Sequence, residues 1–519
     1  MNYPVWELAM GGGALIAVVS ILHVFVSHFA VGGGLWLVVT ESVARRRRDA
    51  QLLDVVRAHS RFFLLLTLVF GAITGVGIWF TIALVSPSAV SALIHAYLWG
   101  WAIEWTFFVI EIAAAMVYWY GWDRLDRRVH LVVGWIYFVA AWASLAVING
   151  IVTFMLTPGE WLENRSFWAG FFNPTYFPSL TARTALALGQ AGLFALITAT
   201  ALPRTTARAW CVRWNAAWVL AALLLGSAAG IWYRGVFPGW SDAVLGAIPI
   251  LPLVARWLVV GVAAMILLAL WPLLLPARWN RLGAALLATA GLLVFAAGEW
   301  TREAGRKPYT IHGYLYSTGL RVEQEEHLVA DGVAAHTKWL DPRARPAENP
   351  AAFGGELYRN HCACCHTRDG YNGLRPWLAH WDDATVRNLL PRLQHVRGLM
   401  PAWHGTPAET EALAAHLRTM RSAAAAMPTA PAAAAREAWR VSCGLCHTTD
   451  GFRPLRESLS GLSRAELSAL LDTLHELTDA MPPYAAAPAQ RQRLLDQLVA
   501  LAAAPAVAPV GAAPGGDAR

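Results

Sequence analysis

The chain has 519 residues, of which 56% are hydrophobic and 14% are charged, and its net charge is +7. Because a soluble globular chain has about 25% charged residues, this composition indicates a membrane protein. Most of the positive charge lies in short loops without interleaved aromatic residues, so we expect no nucleic-acid partner. Apolar runs fill residues 10–300, whereas polar residues are spread through 301–505. The sequence therefore predicts a membrane domain followed by a water-soluble domain.

Eight apolar stretches have the length of about 20 residues that a helix needs to cross a bilayer. They are residues 10–40, 60–86, 92–121, 129–157, 180–202, 210–233, 252–275 and 280–300. The first stretch is long and lacks a small-residue cleavage site, so we interpret it as a span and not as a signal peptide. These stretches predict a polytopic membrane helical bundle of about eight spans.

Arginine is distributed unevenly between alternate loops, and such cations collect on the cytoplasmic side. One set of loops holds Arg45, Arg46, Arg47, Arg48, Arg124, Arg127, Arg128, Arg204, Arg208, Arg213, Arg278 and Arg281. The other set holds only Arg165, Arg183 and Arg234. We therefore expect a multi-pass protein of the bacterial inner (plasma) membrane with a periplasmic N-terminus. Because eight is even, the C-terminal region is also expected in the periplasm.

The C-terminal region contains an internal repeat with an offset of 81 residues. The offset maps Tyr358-Arg359 onto Trp439-Arg440, Asp369-Gly370-Tyr371 onto Asp450-Gly451-Phe452, and Met400-Pro401 onto Met481-Pro482. Residues 341–350 and 422–435, rich in Pro and Ala, are predicted linkers, and 503–519 is an expected disordered tail. The repeat predicts two small helical domains in tandem, which makes the expected fold class all-α.

Each repeat carries a C-x-x-C-H motif, in which two thiols bond the haem vinyl groups and the next residue supplies the proximal imidazole. The motif residues are Cys362, Cys365 and His366 in the first repeat and Cys443, Cys446 and His447 in the second. A Met-Pro pair follows each His by 34 residues. Met400 and Met481 are therefore the predicted sixth ligands, which makes both sites electron-transfer haems without an open iron position.

Two alternatives compete with parts of this interpretation. The Cys pairs could hold structural zinc, but the second repeat offers only His475 besides its motif His as a further ligand. Met420 and Met427 compete as sixth ligands, and any of these Met side chains could simply pack in a core. The repeat favours Met400 and Met481. Four of the six cysteines belong to the haem motifs, which does not indicate a disulfide framework.

Ionisable residues inside the predicted spans are candidates for function by default. They are His23 and His28 in the first span, Glu104 and Glu111 in the third, and Glu299 and Glu303 at the end of the eighth. A His in a span is typical of a haem ligand or a proton relay. His23 and His28 are five residues apart and therefore point to different faces of a helix, so at most one of them serves any given haem.

Five further motifs follow one another through the apolar region. They are His23-Val24-Phe25-Val26, Gly71-Ala72-Ile73-Thr74-Gly75, Gly121-Trp122-Asp123-Arg124-Leu125, Asn149-Gly150 and Glu303-Ala304-Gly305-Arg306-Lys307-Pro308-Tyr309. In this order they resemble the motifs of subunit I of the cytochrome bd oxidases, over roughly residues 10–315.

The resemblance implies that His23 and Glu303 are axial ligands of two high-spin haems at which oxygen is reduced. It also implies that Arg306 holds haem propionates. Glu104 and Glu111 would lie on the proton route, although they are seven residues apart here and eight in the family. A second, similar multi-span subunit is expected by the same resemblance.

The sequence departs from the family where that family binds its low-spin haem and its quinol. The His ligand of the fifth span is replaced in Arg183-Thr184-Ala185-Leu186-Ala187-Leu188-Gly189, and its Met partner would fall near Val259. The outer quinol loop shrinks to about 234–251, and the ninth span is missing. We therefore expect the low-spin haem b of the family to be absent. Other ligands that could still hold such a haem are His28, His95 and His130.

These observations predict the haem-bearing subunit of a bd-like terminal oxidase. It would take electrons from cytochrome c or a partner subunit through two haem c groups, and reduce oxygen at a b-type and a b- or d-type haem. A reductase of nitric oxide or another small oxidant, and a non-catalytic electron-transfer cytochrome, are the alternatives. The predicted domains are a membrane domain at 1–315, a linker at 316–350, cytochrome c-like domains at 351–424 and 425–503, and a tail at 504–519.

Overall fold

The computed structural model describes residues 3–248, 250–341, 343–344, 348–396, 398–421, 428–450, 453–484 and 486–504. The helices up to residue 304 are α1 (Gly12–Arg47), α2 (Ala50–Leu65), α3 (Ala72–Val85), α4 (Pro87–Ala96), α5 (Leu98–Tyr120), α6 (Arg127–Leu156), α7 (Trp161–Asn164), α8 (Phe167–Phe171), α9 (Tyr176–Ala199), α10 (Thr206–Gly235), α11 (Gly239–Ala247), α12 (Leu251–Leu274) and α13 (Arg281–Ala304). A π-helical turn, Leu66–Gly71, joins α2 to α3.

Among the described residues, eight helical segments are long and apolar enough to cross a membrane. They are α1, the continuous α2–α3 segment (Ala50–Val85), α5, α6, α9, α10, α12 and α13. This confirms the predicted all-α class and its polytopic bundle of eight spans. The chain is an integral membrane protein.

The third predicted stretch, residues 92–121, is interrupted in the structure. The helix breaks at Tyr97, where φ is −136°, so that a short α4 precedes the spanning α5. The Tyr97 ring is buried and stacks on Phe154 at 4.4 Å and on Phe167 at 4.9 Å. Apolar composition alone cannot locate such a break, because the stacking partners come from α6 and α8.

Helix α1 lies at the centre of the bundle and packs against α9, α6, α3 and α2. A Cβ atom on Gly32 would lie 1.8 Å from the carbonyl oxygen of Ala187, so only glycine permits the observed approach of α1 to α9. Small residues serve this purpose in membrane bundles, where close backbone packing contributes to helix association. The Arg-rich end of α1, Arg45–Arg47, lies at the opposite end of the helix from Gly12.

The region after the bundle begins with a small antiparallel hairpin and continues with short helices. Its elements are β1 (Tyr309–Ile311), β2 (Leu315–Tyr316), α14 (Glu325–Asp331), α15 (Pro350–His361), α16 (Arg375–Leu378), α17 (Asp383–Leu389), α18 (Pro407–Thr419), α19 (Pro431–Val441), α20 (Leu455–Leu459), α21 (Arg464–Asp472), α22 (Leu474–Leu477) and α23 (Pro488–Ala502). Short 3-10 turns are Pro276–Arg278, Val322–Gln324, Ala334–His336, Leu390–His395 and Cys443–Leu445.

The 81-residue repeat of the sequence reappears in the order of these helices. The first repeat runs from α15 to α18 and the second from α19 to α23, and the outer helices of both begin with Pro at equivalent positions, Pro350 with Pro431 and Pro407 with Pro488. Each repeat has its own buried core, which includes Leu413 in the first and Leu494 in the second.

The segment predicted as a linker at 316–350 contains ordered structure. It includes α14, whose Leu328 is buried, and the backbone N–H groups of Val333 and Ala334 donate to the Glu409 carboxylate of α18 at 3.1 and 2.8 Å. The segment therefore packs on the first repeat. Of the other predicted low-complexity stretches, residues 422–427 and 505–519 lie outside the described residues.

Candidate haem sites

Both C-x-x-C-H motifs follow directly on the first helix of their repeat and have the same backbone geometry. The N–H of His366 donates to the carbonyl of Cys362 at 2.8 Å, and the N–H of His447 donates to the carbonyl of Cys443 at 2.9 Å. These bonds wind each motif into a tight turn, and in the first repeat the two Cys residues and the His line the same cavity. Such an arrangement fits covalent attachment of a porphyrin followed by axial ligation.

The two motif histidines are oriented by equivalent carbonyl groups. The Nδ1 of His366 lies 3.1 Å from the carbonyl oxygen of Asn372, and the Nδ1 of His447 lies 3.1 Å from that of Arg453. Asn372 and Arg453 also share a left-handed backbone, with φ of 54° and 46°. A metal-binding His commonly donates its other ring N–H to a carbonyl, which fixes the tautomer. Nε2 would then be the nitrogen available to bind an iron.

Ion pairs repeat with the same offset. The equivalent pairs are Arg359–Glu356 with Arg440–Glu437, and Arg375–Asp369 with Arg456–Asp450. These pairs show that the second repeat follows the first in side-chain detail, although its sequence around the motif differs.

The candidate sixth ligands of the first repeat lie in different surroundings. Met400 and His366 line the same cavity, together with Cys362 and Cys365. Met420 is fully buried in the core of the repeat, 1% exposed. Met427 lies outside the described residues. In the second repeat, Met481 occupies the position equivalent to Met400, and its N–H donates to Thr478 at 3.0 Å.

A cavity of about 2400 Å³ extends from the middle of the membrane bundle to the first c-type motif. Ligand pockets usually measure about 300–1,000 Å³, so this space exceeds what one small substrate needs. Its walls include His23, His28, Glu104, Glu111, Glu303 and Arg306. The cavity thus brings together all the membrane residues that the sequence predicts as functional.

His23 on α1 is positioned by the second span. Its Nδ1 lies 3.1 Å from the hydroxyl oxygen of Thr74, and a Cβ on Gly75 would come within 3.0 Å of its ring. Both residues belong to the Gly71–Gly75 motif. Because this contact occupies Nδ1 and Gly75 leaves room beside the ring, the residues present fit an imidazole that offers Nε2 to a metal in the cavity.

Glu104 and Glu111 of α5 each accept one hydrogen bond from α6. The Ser144 hydroxyl donates to Glu104 at 3.0 Å, and the Tyr137 hydroxyl donates to Glu111 at 2.9 Å. The Tyr137 oxygen also lies 3.0 Å from the carbonyl oxygen of Ala30 on α1. Sequence reasoning missed Ser144 and Tyr137, because an isolated hydroxyl in an apolar helix carries no periodic signal.

A ladder of five charged residues forms the wall of the cavity near the end of α13. Glu299 accepts from Arg183 and from Arg302, each at 2.9 Å, Arg302 lies 3.6 Å from Glu303, and Arg306 pairs with Glu303. The members of this ionic ladder are Arg183, Glu299, Arg302, Glu303 and Arg306.

Arg183 was predicted as a loop cation, and the structure corrects this placement. It lies inside α9, with a side chain only 11% exposed. The partner carboxylate on α13 offsets the cost of burying its charge. Glu303 and Arg306, predicted as a haem ligand and as a propionate partner, are ion-paired to each other in this ladder.

The first c-type repeat docks on the outer end of the membrane bundle. A Cβ on Gly370 would lie 2.5 Å from the carbonyl oxygen of Ala9, and one on Gly11 would lie 2.9 Å from Thr367. Arg368 also pairs with Glu7 at 3.3 Å. This end is opposite to the Arg-rich turn of α1.

The motif of the first repeat is close to the ladder of α13. The electrostatic neighbours of Lys307 include Cys365 of the motif and Glu303 of the ladder. The second repeat contacts the first, since the Trp381 indole donates to the carbonyl of Val441 at 2.9 Å and Arg392 donates to that of Asp479 at 2.8 Å. The second repeat therefore contacts the first repeat, and the motif of the first repeat lies at the membrane cavity.

Two family models match separate parts of the chain. Residues 14–232 match the family model of cytochrome bd terminal oxidase subunit I, and residues 349–417 match that of the cbb3-type cytochrome c oxidase subunit III. The N-terminal region is therefore similar to a cytochrome bd oxidase subunit I domain over residues 14–232. The first c-type repeat is a cytochrome c domain, and the resemblance noted in the sequence is confirmed. The motif from Glu303 to Tyr309 lies beyond the matched range.

A solved structure supports the fold of the bd domain. The bd oxidase from Geobacillus thermodenitrificans matches with a TM-score of 0.51 and 16% sequence identity, over 63% of this chain and 95% of that chain. No curated protein matches this sequence. A bd oxidase domain joined to a cytochrome c domain makes the chain a haem-containing oxidoreductase.

Proposed function

We propose that this chain is the haem-bearing subunit of a bd-like terminal oxidase that receives electrons through its own c-type domains. One observation carries the proposal: the first C-x-x-C-H motif and the candidate ligands His23 and Glu303 line one continuous cavity. A chain that only conducted electrons would not need a large cavity that also holds buried carboxylates. A chain supplied by quinol would not need a cytochrome c domain docked on the bundle.

The residues divide into two sets of haem-holding groups. Cys362, Cys365, Cys443 and Cys446 would bond two haem c groups. Their proposed axial ligands are His366 with Met400 and His447 with Met481. His23 and Glu303 would bind two further, high-spin haems, one b-type and one b- or d-type, and Arg306 would hold propionates. When bound, these groups supply the one-electron chemistry and the open iron position that oxygen reduction requires.

Glu104 and Glu111 are proposed to deliver protons to the cavity. Reduction of one oxygen molecule to two waters consumes four electrons and four protons, and the bundle interior offers few other exchangeable groups. Both carboxylates line the cavity, and each is oriented by one hydroxyl from α6. Ser144 and Tyr137 therefore act as positioning residues.

The proposed topology places the c-type domains in the periplasm of a bacterial inner membrane. It is supported by the Arg-rich loops at the far end of the bundle and by the even number of spans. The electron donor would be cytochrome c or another periplasmic protein. Several apolar bundle residues outside the cavity, among them Phe80 and Ile231, are 65% and 75% exposed, which leaves apolar surface for a second multi-span subunit. The domain limits proposed from the sequence remain 1–315, 316–350, 351–424, 425–503 and 504–519.

Oxygen uptake by the purified complex tests this function. Reduced cytochrome c is expected to support uptake, and a quinol is not. His23→Ala should remove a high-spin haem from the spectrum while both haem c groups remain, and Glu111→Gln should stop uptake without loss of haem. The absence of uptake with every haem six-coordinate would contradict the oxidase. Anaerobic turnover of nitric oxide without oxygen uptake would instead identify the alternative substrate.

A further inference from the structure

Among the described residues that line the cavity, three buried polar atoms around Glu299 have no hydrogen-bond partner. They are Nε2 of His28, Nε of Arg183 and Nη1 of Arg302. Leaving a buried donor or acceptor unpaired costs about 1–3 kcal/mol, and native proteins leave few such groups. All three residues line the large cavity, and Arg183 and Glu299 are electrostatic neighbours of His28. A ligand bound at this cluster would supply the missing hydrogen-bond partners.

The His28 ring is prepared to offer Nε2 as an acceptor. Its side chain is buried, 1% exposed, and its Nδ1 lies 2.7 Å from the carbonyl oxygen of Val24. Because a carbonyl can only accept, Nδ1 carries the proton and Nε2 carries the lone pair. His366 and His447 have the same arrangement of Nδ1 against a carbonyl. A metal ion is the partner that this arrangement commonly serves.

The charges of the cluster favour an anionic ligand. The ionic ladder contains three arginines, Arg183, Arg302 and Arg306, but only two glutamates, Glu299 and Glu303. One positive charge in this buried place is therefore not compensated, and buried charges are normally paired. A carboxylate on the ligand would supply the missing charge and accept hydrogen bonds from the two guanidinium groups. A neutral quinol would leave the charge as it is.

Other buried or membrane histidines do not share this setting. His59 also has an unpaired Nε2, but its ring packs against Phe29 and Trp36 and does not line the cavity. Both ring nitrogens of His130 have partners, in Glu41 and the carbonyl of Tyr118. His95 lies on the surface of α4.

We propose that Nε2 of His28 is the axial ligand of an additional, non-covalently bound haem, whose propionate carboxylates pair with Arg183 and Arg302. On α1, His28 is five residues from His23, which corresponds to about 140° of rotation and about 7.5 Å of rise. The two side chains therefore address different positions in the cavity and bind different irons. The proposal does not depend on which oxidant the enzyme reduces.

Haem counting in the full complex tests this assignment. His28→Ala should lower the non-covalent haem content by one per chain in the pyridine haemochrome spectrum. The covalent haem c content should stay unchanged, which also reports that the protein has folded. Imidazole added during membrane preparation should restore the lost haem, because it refills the space of the missing ring. His59→Ala, a buried His outside the cavity, should retain every haem.

A double variant separates the two proposed irons. His23→Ala with His28→Ala should lack two non-covalent haems, whereas each single variant lacks one. If the double variant lacks no more than either single variant, the two residues serve one haem and the proposal is wrong. Unchanged haem content in His28→Ala, or in the isosteric His28→Gln if the Ala variant is unstable, would overturn it as well. Loss of quinol binding alone would point to a quinol site. Failure of oxygen uptake in the wild type, with the haem count as expected, would contradict only the oxidase.

Discussion

The hydroxyl of Tyr137 donates a hydrogen bond to the carboxylate of Glu111 at 2.9 Å. The same oxygen lies 3.0 Å from the carbonyl of Ala30, so three helices, α1, α5 and α6, meet at one phenol. Glu111 faces the cavity, whereas Tyr137 also borders a second, small cavity of about 10 Å³ nearer the Arg-rich end of α1. That space is about the size of one water molecule. Tyr137 therefore lies between this small cavity and the proposed proton carrier.

Replacement of this phenol should slow turnover without loss of haem. Tyr137→Phe removes one hydrogen bond to a carboxyl group, which is worth about 1.5–3 kcal/mol when that group is charged. We expect oxygen uptake to fall by about 10-fold or more, since 1.36 kcal/mol corresponds to a factor of ten. Tyr97→Phe is the control, because its hydroxyl makes only a 3.4 Å contact with Phe167 outside the cavity. Equal uptake in the two variants would show that Tyr137 does not orient Glu111.

The buried cluster around Glu41 should contribute to stability and not to haem binding. The Glu41 carboxylate is completely buried, accepts from Arg45 at 2.6 Å and from Tyr118 at 2.7 Å, and lies 3.0 Å from Nδ1 of His130. Removal of one partner from a buried pair usually costs about 3–5 kcal/mol.

Glu41→Leu is therefore expected to lower the Tm in a thermal unfolding scan, with normal haem content below the transition. Asp123→Asn is the matched control. It removes a carboxylate that is 67% exposed and paired with Arg57, and such surface pairs contribute about 0–1 kcal/mol. A Tm for Glu41→Leu equal to that of the control would mean that the cluster is not stabilising.

Features that depend on local sequence pattern could be predicted from the sequence alone. Span length, the C-x-x-C-H motifs and the 81-residue offset are all readable along the chain, and the helices bear out the spans and the repeat. The Tyr97 break, the pairing of Tyr137 with Glu111 and the pairing of Arg183 with Glu299 depend on contacts between distant helices. Without knowledge of the packing of α9 on α13, Arg183 could only be interpreted by its proximity to a loop.

The partners of Glu299 and Glu303 could in part have been anticipated. Arg302 and Arg306 each follow a glutamate by three residues on α13, a spacing that places both side chains on one face. Glu303 and Arg306 belong to the motif that runs to Tyr309, whereas Arg302 precedes that motif. The spacing of residues on α13 predicts the ion pairs within that helix. It does not predict the pair between Glu299 and Arg183 of α9.

The identity of the sixth ligand predicts a difference in reduction potential. Met ligation raises the potential of a c-type haem relative to His ligation. Met400→His should therefore lower the midpoint potential of one haem c in a redox titration, and Met481→His should lower that of the other. Met420→Leu should leave both potentials unchanged, because Met420 packs in the core of the first repeat. A potential shift in Met420→Leu but not in Met400→His would reverse the assignment.

His312, which lies beyond the last spanning helix, should make stability dependent on pH. Burial lowers the pKa of His312 to about 4, and its ring stacks on Trp240 at 3.3 Å. An unfolded His has a pKa of about 6.5, so below that value the unfolded state binds a proton that the folded state does not. Stability from this residue is therefore fully present above about pH 6.5 and declines as the pH falls toward 4.

The measurement is the Tm of the purified protein between pH 7 and pH 4.5. His312→Phe retains an aromatic ring against Trp240 and removes the titrating group, so its Tm should fall less steeply with acid than that of the wild type. His327→Gln, which replaces an exposed histidine of α14, should follow the wild-type curve. Parallel curves for wild type and His312→Phe would exclude His312 as a source of the acid sensitivity.

The docking of the first c-type repeat on the N-terminal segment predicts the effect of a single bulky residue. Gly370 faces the carbonyl of Ala9 so closely that a Cβ would lie 2.5 Å from its oxygen. Overpacking of this kind costs about 1–3 kcal/mol, and the repeat can relieve it by moving away from the bundle. Gly370→Val should keep both haem c groups, because the core of the repeat is not changed. It should also reduce oxygen uptake driven by reduced cytochrome c.

Gly239→Ala, where a Cβ meets nothing within 4 Å, should retain wild-type uptake. Wild-type uptake in Gly370→Val would mean that electron entry does not require this contact.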